Sequence, residues 1–307
     1  MGKYYPFPHS QPDSESFAVS FINCFRHTLS VAGTDVRISR LNPGRDSLAA
    51  HDSRTNAFTV ANPKSSQQTE TVNPEESIVR AASDKDCLDL MHTVMAYRHQ
   101  PIHSELMKIR DKYSMLHLDV LILIYHFAKL CSGAILEIGA FVGGATIAAA
   151  FGVRDSGQEK KLISIEPGGA VKHKRLGTRD ILRDLERNLT RERVASMVTL
   201  VEGKSFKPET KSAVRETLDS DQIGLLILDA DAAKRRDIDC YRNKFAQGAW
   251  IVIDDIYGAD ANEKITPSRA DVDALVAEDL LEPLGFYGWS TWVGRWRGDA
   301  HHCAAEV

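Results

Sequence analysis

Three carboxylates stand out by what precedes them. Asp229 follows Gly-Leu-Leu-Ile-Leu, and Asp254 and Asp255 follow Ala-Trp-Ile-Val-Ile, so each acid sits where an apolar strand stops. If those strands are neighbours in one sheet, the three groups converge within a few ångströms. Carboxylates crowded in this way repel unless they are protonated or neutralised by a cation. Oxygen donors select a hard divalent ion, Mg²⁺ or another of its kind such as Ca²⁺ or Mn²⁺. Such an ion can hold adjacent hydroxyls and lower the pKa of one, making an oxyanion nucleophile. The alternative is structural, with one of the Asp pair capping the helix that follows and Asp231 serving a turn.

A second constellation lies in Ala134–Thr146, Ala-Ile-Leu-Glu-Ile-Gly-Ala-Phe-Val-Gly-Gly-Ala-Thr, where an apolar strand leads through a glycine turn into a small-residue helix. This is where an α/β protein holds a nucleotide-like cofactor. In the pyrophosphate fingerprint G-x-G-x-x-G the second glycine lets the backbone approach the phosphates. Gly139 and Gly144 fit the outer positions, but Phe141 stands at that second one. The ring argues against NAD or FAD. Glu137 argues the same way, since a carboxylate beside the loop repels pyrophosphate and suits a cofactor bearing an ammonium and a sulfonium. S-adenosylmethionine is such a cofactor. Further along, Glu166 closes Leu-Ile-Ser-Ile-Glu-Pro, a position from which a carboxylate accepts both hydroxyls of a ribose. Ser205 and Phe206 follow Val-Thr-Leu-Val-Glu-Gly-Lys and could bound an adenine pocket, although a plain turn serves as well.

The elements that must position these groups alternate. Ile135–Ile138, Lys161–Ile165, Val198–Val201, Gly224–Leu228 and Ala249–Ile253 are apolar runs of buried-strand type. Between them lie the helical stretches Gly144–Phe151, Arg179–Asn188, Pro208–Leu218 and Arg235–Phe245. This predicts an α/β, Rossmann-like doubly wound sheet, mostly parallel, with its ligands at the carboxyl ends of the strands. A helix over Ser268–Leu281 then leads to Leu284–Tyr287 and Ser290–Arg297, too close for a crossover and hence a C-terminal antiparallel hairpin. Three helices, Asp84–Tyr97, Ile102–Tyr113 and Met115–Leu130, precede the first strand. The expected domains are an N-terminal extension over 1–100 with a flexible segment near 37–76, a catalytic domain with leading helices over 101–300, and a tail over 301–307. Phe17–Val31 fits a short helix or a strand pair equally well.

Composition narrows the classes. The 307 residues carry 38 basic and 42 acidic side chains, a net charge of −4, and no basic stripe, which disfavours nucleic acid and anionic membranes as partners. Five scattered cysteines (Cys24, Cys87, Cys131, Cys240, Cys303) include no C-x-x-C pair, so neither a disulfide framework nor a cysteine zinc site is expected, and a reducing cytoplasm fits. Leu116–Leu130 is broken by His117, Asp119, His126 and Lys129 and is too short to span a bilayer, and Met1–Ser10 shows no secretion signal. A homo-oligomer is compatible with the chain. Of the remaining candidates, His117, His126, His301, His302 and the run Lys172–Arg175 read most simply as solvated or structural. Trp289, Trp292 and Trp296 read as packing, and Tyr257 is open between packing and an acceptor pocket.

The segments Leu-Glu-Ile-Gly-Ala-Phe-Val-Gly-Gly-Ala-Thr, Leu-Ile-Ser-Ile-Glu-Pro, Val-Thr-Leu-Val-Glu-Gly-Lys-Ser, Leu-Ile-Leu-Asp-Ala-Asp and Ile-Val-Ile-Asp-Asp-Ile-Tyr resemble, in order and spacing, class I S-adenosylmethionine-dependent methyltransferases. The likeness is to the catechol and caffeoyl-coenzyme A O-methyltransferase group and its bacterial relatives, over residues 134–297. It implies cofactor contacts from Glu137, Gly139, Phe141, Gly143 and Asp229, ribose binding by Glu166, adenine contact near Ser205, and a metal at Asp229, Asp254 and Asp255. Two positions depart from the pattern. The last metal ligand is usually Asn and is Asp255 here. The catalytic lysine usually follows the first metal aspartate by three residues, where this chain has Ala232, with Lys234 two residues further on. The expected reaction is methyl transfer to a hydroxyl of a small molecule such as a natural product, assisted by the metal, with Asp229 and Lys234 as catalytic residues. The alternatives are a metal-independent methyltransferase and a degenerate cofactor-binding module.

Overall fold

The central strands of the sheet are the most deeply buried, polar residues included. β1 (Ala134–Ile138), β2 (Leu162–Glu166) and β4 (Ile223–Leu228) are buried at every residue, as parallel strands covered on both faces must be. A computed structural model describes residues 74–258 and 263–298, with side chains from residue 85 onward, all within the unit Thr69–Val307. The segment 17–31, most of the stretch 37–76, Cys24, Cys303, His301, His302 and the tail lie outside the described residues.

β3 (Val198–Glu202), β5 (Phe245–Ile253), β6 (Leu281–Tyr287) and β7 (Thr291–Trp296) complete one seven-stranded sheet in the order β3-β2-β1-β4-β5-β7-β6. β1 to β5 are parallel, and β7 runs antiparallel to both β5 and β6. The chain therefore winds outward one way from β1 and then restarts at β4 on its other side. Such a reversal opens a crevice at the carboxyl ends of β1 and β4, where ligands of doubly wound sheets sit.

Side-chain alternation along each strand makes two cores. Ile135 packs on one face with α1 (Pro74–Tyr97), α2 (Pro101–Tyr113), α3 (Leu118–Leu130), α4 (Gly144–Ser156) and α5 (Ile181–Arg191). Leu136 and Ile138 pack on the other with α6 (Pro208–Leu218), α7 (Lys234–Tyr241) and α8 (Ile265–Ala277). Each fully buried Leu or Ile contributes about 1.5–3 kcal/mol relative to exposure, so the two clusters dominate the favourable side of folding. α3 and α4 touch at Gly152, where a Cβ would stand 2.4 Å from the Tyr125 carbonyl oxygen; only glycine permits that approach. Helix starts follow local chemistry. Pro101 and Pro208 open α2 and α6, Asp180 caps α5 by accepting from the Arg183 N–H at 3.1 Å, and the His117 ring caps α3 by accepting from the Asp119 N–H.

The expected boundaries shift where tertiary pairing competes with helix patterning. α1 begins at Pro74, upstream of Asp84. α7 stops at Tyr241, and β5 begins at Phe245 because that residue pairs with Ile223 and lays its buried ring 5.2 Å from Trp296. α8 spans Ile265–Ala277, and Leu281, expected as its last residue, instead opens β6 opposite Trp296. Pro283 is tolerated because β6 is an edge strand. Trp292 and Trp296 are core residues, whereas Trp289, expected to pack with them, is exposed at the hairpin turn. Among the described residues there is no disulfide, and no helix is long and apolar enough to cross a membrane.

Candidate active site

The crevice begins with the turn after β1. Gly139 donates its N–H to the Ile165 carbonyl at 2.9 Å, and Asp229 donates its N–H to Ile138 at 3.0 Å, so this turn is stitched to the ends of both β2 and β4. Gly139 has φ 93°, and a Cβ there would lie 2.2 Å from the Asp229 carbonyl oxygen. Phe141 takes φ 49°, the left-handed backbone that the second glycine of the fingerprint would adopt freely. For a residue with a side chain this costs on the order of 1–2 kcal/mol. Glu166 offsets it. Its Oε2 accepts from the Phe141 N–H at 2.7 Å and its Oε1 from the Gly168 N–H at 2.9 Å, and hydrogen bonds to a charged group are worth about 1.5–3 kcal/mol. Burial pushes the Glu166 carboxyl up, and the two N–H donors pull it back. Gly143 (φ 99°) caps α4, and Asn188, a residue without a sequence signal, donates from Nδ2 to the Val142 carbonyl at 2.9 Å.

Glu137 shares the face of Ile135 and so points at α4. Its Oε2 accepts from the hydroxyls of Thr146 and Ser164, each at 2.6 Å. Oε1 is buried and has no partner. Burial pushes the carboxyl up to about 7, and Asp229 and Glu166 add to the shift against the two hydroxyls. A buried carboxylate oxygen without a donor, beside a glycine turn, can accept from a cationic ligand group. The donor set therefore fits the ammonium and sulfonium of S-adenosylmethionine.

Across the crevice the register pairs Leu228 with Ile253, which sets Asp229 beside Asp254 and Asp255. One carboxylate oxygen of each lies within 4.8 Å of the others. Asp254 accepts from Thr291 Oγ1 at 2.6 Å and Ser290 Oγ at 3.1 Å. Asp255 takes φ 61°, which turns its side chain back toward Asp229. Burial, followed by the charge of Asp254, pushes the Asp229 carboxyl up, against the pull of Lys264. Three hard oxygen donors, one of them destabilised as an anion by its neighbours, fit a divalent cation.

Two lysines answer this charge. Lys264, just before α8, forms an ion pair with Asp255 and holds Nζ 3.7 Å from Asp229 Oδ1. It lies ten residues from Asp254 in a stretch with no recognisable spacing, and only the folded chain brings it in. Lys234, at the first position of α7, is fully buried, and its Nζ has no hydrogen-bond partner. Burial pushes its ammonium down, Lys264 adds to this, and Asp229, Asp255 and Asp254 oppose it.

Ser205 is brought to the same end of the sheet, but its hydroxyl donates to Asp237 Oδ1 at 2.6 Å. Asp237, buried and unforeseen, also accepts from Arg236, whose guanidinium stacks 4.0 Å over Phe206. Asp231 indeed serves a turn, accepting from the Ala233 N–H at 3.0 Å. Tyr257 stands beside Arg269 and Phe286, partly exposed. Arg175 of the basic run is not merely solvated, since it donates to the Ser114 carbonyl at 2.7 Å.

A family model described as a methyltransferase domain matches residues 136–256, which span Glu137 through Asp255. A comparison with curated proteins gave no match. Among solved structures, the O-methyltransferase TomG from Streptomyces achromogenes, in complex with S-adenosylmethionine, is 16% identical, covering 68% of this chain and 96% of that one, with a TM-score of 0.47. The O-methyltransferase from Bacillus cereus in complex with S-adenosylhomocysteine is 14% identical, covering 72% and 97%, with a TM-score of 0.43. The methyltransferase PaMTH1 from Podospora anserina, bound to S-adenosylhomocysteine, is 13% identical, covering 78% and 100%, with a TM-score of 0.47. The family match runs from the acidic end of β1 to the acidic pair after β5, and residues 136–256 carry a methyltransferase domain.

Proposed function

We propose that the protein is an S-adenosylmethionine-dependent O-methyltransferase that acts on a hydroxyl of a small molecule, such as a natural product, with a divalent cation held by Asp229, Asp254 and Asp255. The observation that carries this reading is the convergence of those three carboxylates within 4.8 Å on the crevice side of the glycine turn. When bound, a hard divalent ion supplies a Lewis acid that lowers the pKa of the acceptor hydroxyl, and the cofactor supplies the methyl group. The chain's own residues do the rest. Glu137 Oε1 receives the cofactor's cationic end, Glu166 holds the turn and offers its remaining lone pairs to the ribose, and Ser205 and Phe206 bound the base. Lys234 Nζ, whose charged form burial disfavours, accepts the hydroxyl proton. Holding donor and acceptor in line supplies most of the acceleration, since no covalent intermediate with the protein is needed.

A net charge of −4 and the absence of a basic stripe favour a small acceptor over nucleic acid or an anionic membrane, and the scattered cysteines favour the cytoplasm. One observation favours a metal-independent form of the same reaction, namely the ammonium of Lys264 inside the carboxylate cluster.

The test is calorimetric titration with S-adenosylmethionine and S-adenosylhomocysteine, with Mg²⁺ and with chelator, followed by transfer of a labelled methyl group to a panel of catechols and other hydroxylated small molecules. Heat with both ligands, and turnover that falls by about 10²-fold on chelation and returns with Mg²⁺, is the expected result. Transfer unaffected by chelation would move the reading to the metal-independent enzyme. No heat with either ligand would remove the cofactor assignment altogether.

A further inference from the structure

The two lysines at the acidic cluster differ in one respect that matters. Lys234 is fully buried, whereas the Lys264 side chain is 38% exposed and its Nζ is paired with Asp255 and 3.7 Å from Asp229. Two of the three carboxylates that would hold a cation are therefore already engaged by an ammonium on a partly exposed side chain. An ammonium and a divalent ion compete for oxygens lying within 4.8 Å of one another, because at that range the two cations repel, the more so where the site excludes water. Asp254 is the third ligand and is differently held, by the hydroxyls of Thr291 and Ser290.

We infer that Lys264 is a built-in competitor for the cation site: a divalent ion binds only by displacing its ammonium from Asp255 and Asp229, and the strength of that ion pair sets the affinity for the metal. This rests on the proposed metal site. It gives the departure at Asp255 a physical sense, since the extra negative charge, where relatives of the resembled group carry Asn, is matched by a lysine of the chain itself. The site then holds a cation at all times, either the protein's own or a divalent ion.

The experiment measures Mn²⁺ binding by electron paramagnetic resonance for the wild type and Lys264→Met, with S-adenosylhomocysteine binding as the check on folding. The wild type is also treated with an amine-acetylating reagent, with and without Mn²⁺, and labelling of Lys264 is read by peptide mass spectrometry. The expected results are affinity for Mn²⁺ at least about tenfold tighter in the variant, and a rise in Lys264 labelling when Mn²⁺ is added to the wild type. Equal Mn²⁺ affinity in both proteins would overturn the competition and leave the metal site standing. Failure of both proteins to hold Mn²⁺ while binding S-adenosylhomocysteine would overturn the metal reading with it. Should Lys264→Met not fold, the labelling decides alone, and unchanged labelling overturns the inference.

Discussion

Glu166 and Phe141 form one device: the carboxylate at the end of β2 accepts a 2.7 Å hydrogen bond from the backbone N–H of Phe141, which stands in the left-handed region at φ 49°. A position that nucleotide-binding turns give to glycine is here held by a side chain 25 residues away. The same carboxylate is the one proposed to face the ribose, so cofactor binding and turn geometry are coupled. Glu166→Gln replaces an acceptor on one of two N–H groups by an amide NH₂. Unfolding in urea should show a loss of about 1–3 kcal/mol, and calorimetry should show S-adenosylhomocysteine bound at least about tenfold more weakly. Unchanged affinity would separate Glu166 from the cofactor.

Glu137 predicts a pH dependence. Its proton leaves near 7 in the folded chain against an ordinary value of 4.5, so between those values the folded state binds more protons than the unfolded one. Stability without cofactor should therefore fall as pH rises through that window, by on the order of 3 kcal/mol from this residue. A cationic ligand favours the ionised form, so affinity for S-adenosylmethionine should rise over the same range. Denaturation and titration at a series of pH values check both. Asp229 titrates in the same direction, and the comparison with Glu137→Gln, which should flatten both slopes, isolates the one group.

Gly139→Ala tests the junction of β1 and β4. The added methyl would meet the Asp229 carbonyl oxygen at 2.2 Å with φ at 93°, so both sterics and backbone oppose it. A loss of about 3 kcal/mol or more in urea denaturation is expected, with methyl transfer reduced further because Asp229 is moved.

Lys234→Met should separate stability from activity. The ammonium is driven down mainly by burial despite three nearby carboxylates, so its environment is on balance worse than water. Its removal should stabilise the fold at neutral pH by about 1–3 kcal/mol, while methyl transfer falls. In the wild type the unfolded chain binds this proton more tightly, so this residue's contribution to stability rises with pH until 10.5 is passed. A variant that is less stable and fully active would count against Lys234 as the base.

Thr291→Val removes a 2.6 Å donor from Asp254 Oδ1 and keeps the shape of a buried side chain. A cost of about 1 kcal/mol is expected, and Mn²⁺ titration should detect a changed affinity because the carboxylate is then free to reorient.

What could be read along the chain was whatever depends on near neighbours. Apolar runs ending in Glu137, Glu166, Asp229 and Asp254 announce strands, and strands that alternate with helices must be parallel with their carboxyl ends on one side. The acidic ends therefore had to meet, and a pair of close strands after α8 had to form a hairpin. Tertiary structure decided what long-range pairing controls. Phe245 and Leu281 joined strands because buried partners at Ile223 and Trp296 outweighed helical patterning. Phe141 took a glycine conformation because Glu166 was within reach. Ser205 found Asp237, and Lys264 entered the carboxylate cluster from a stretch that carries no periodic signal. Local pattern records which face of an element is apolar; which charge answers which across the crevice depends on the path of the loops, and only the folded chain sets it.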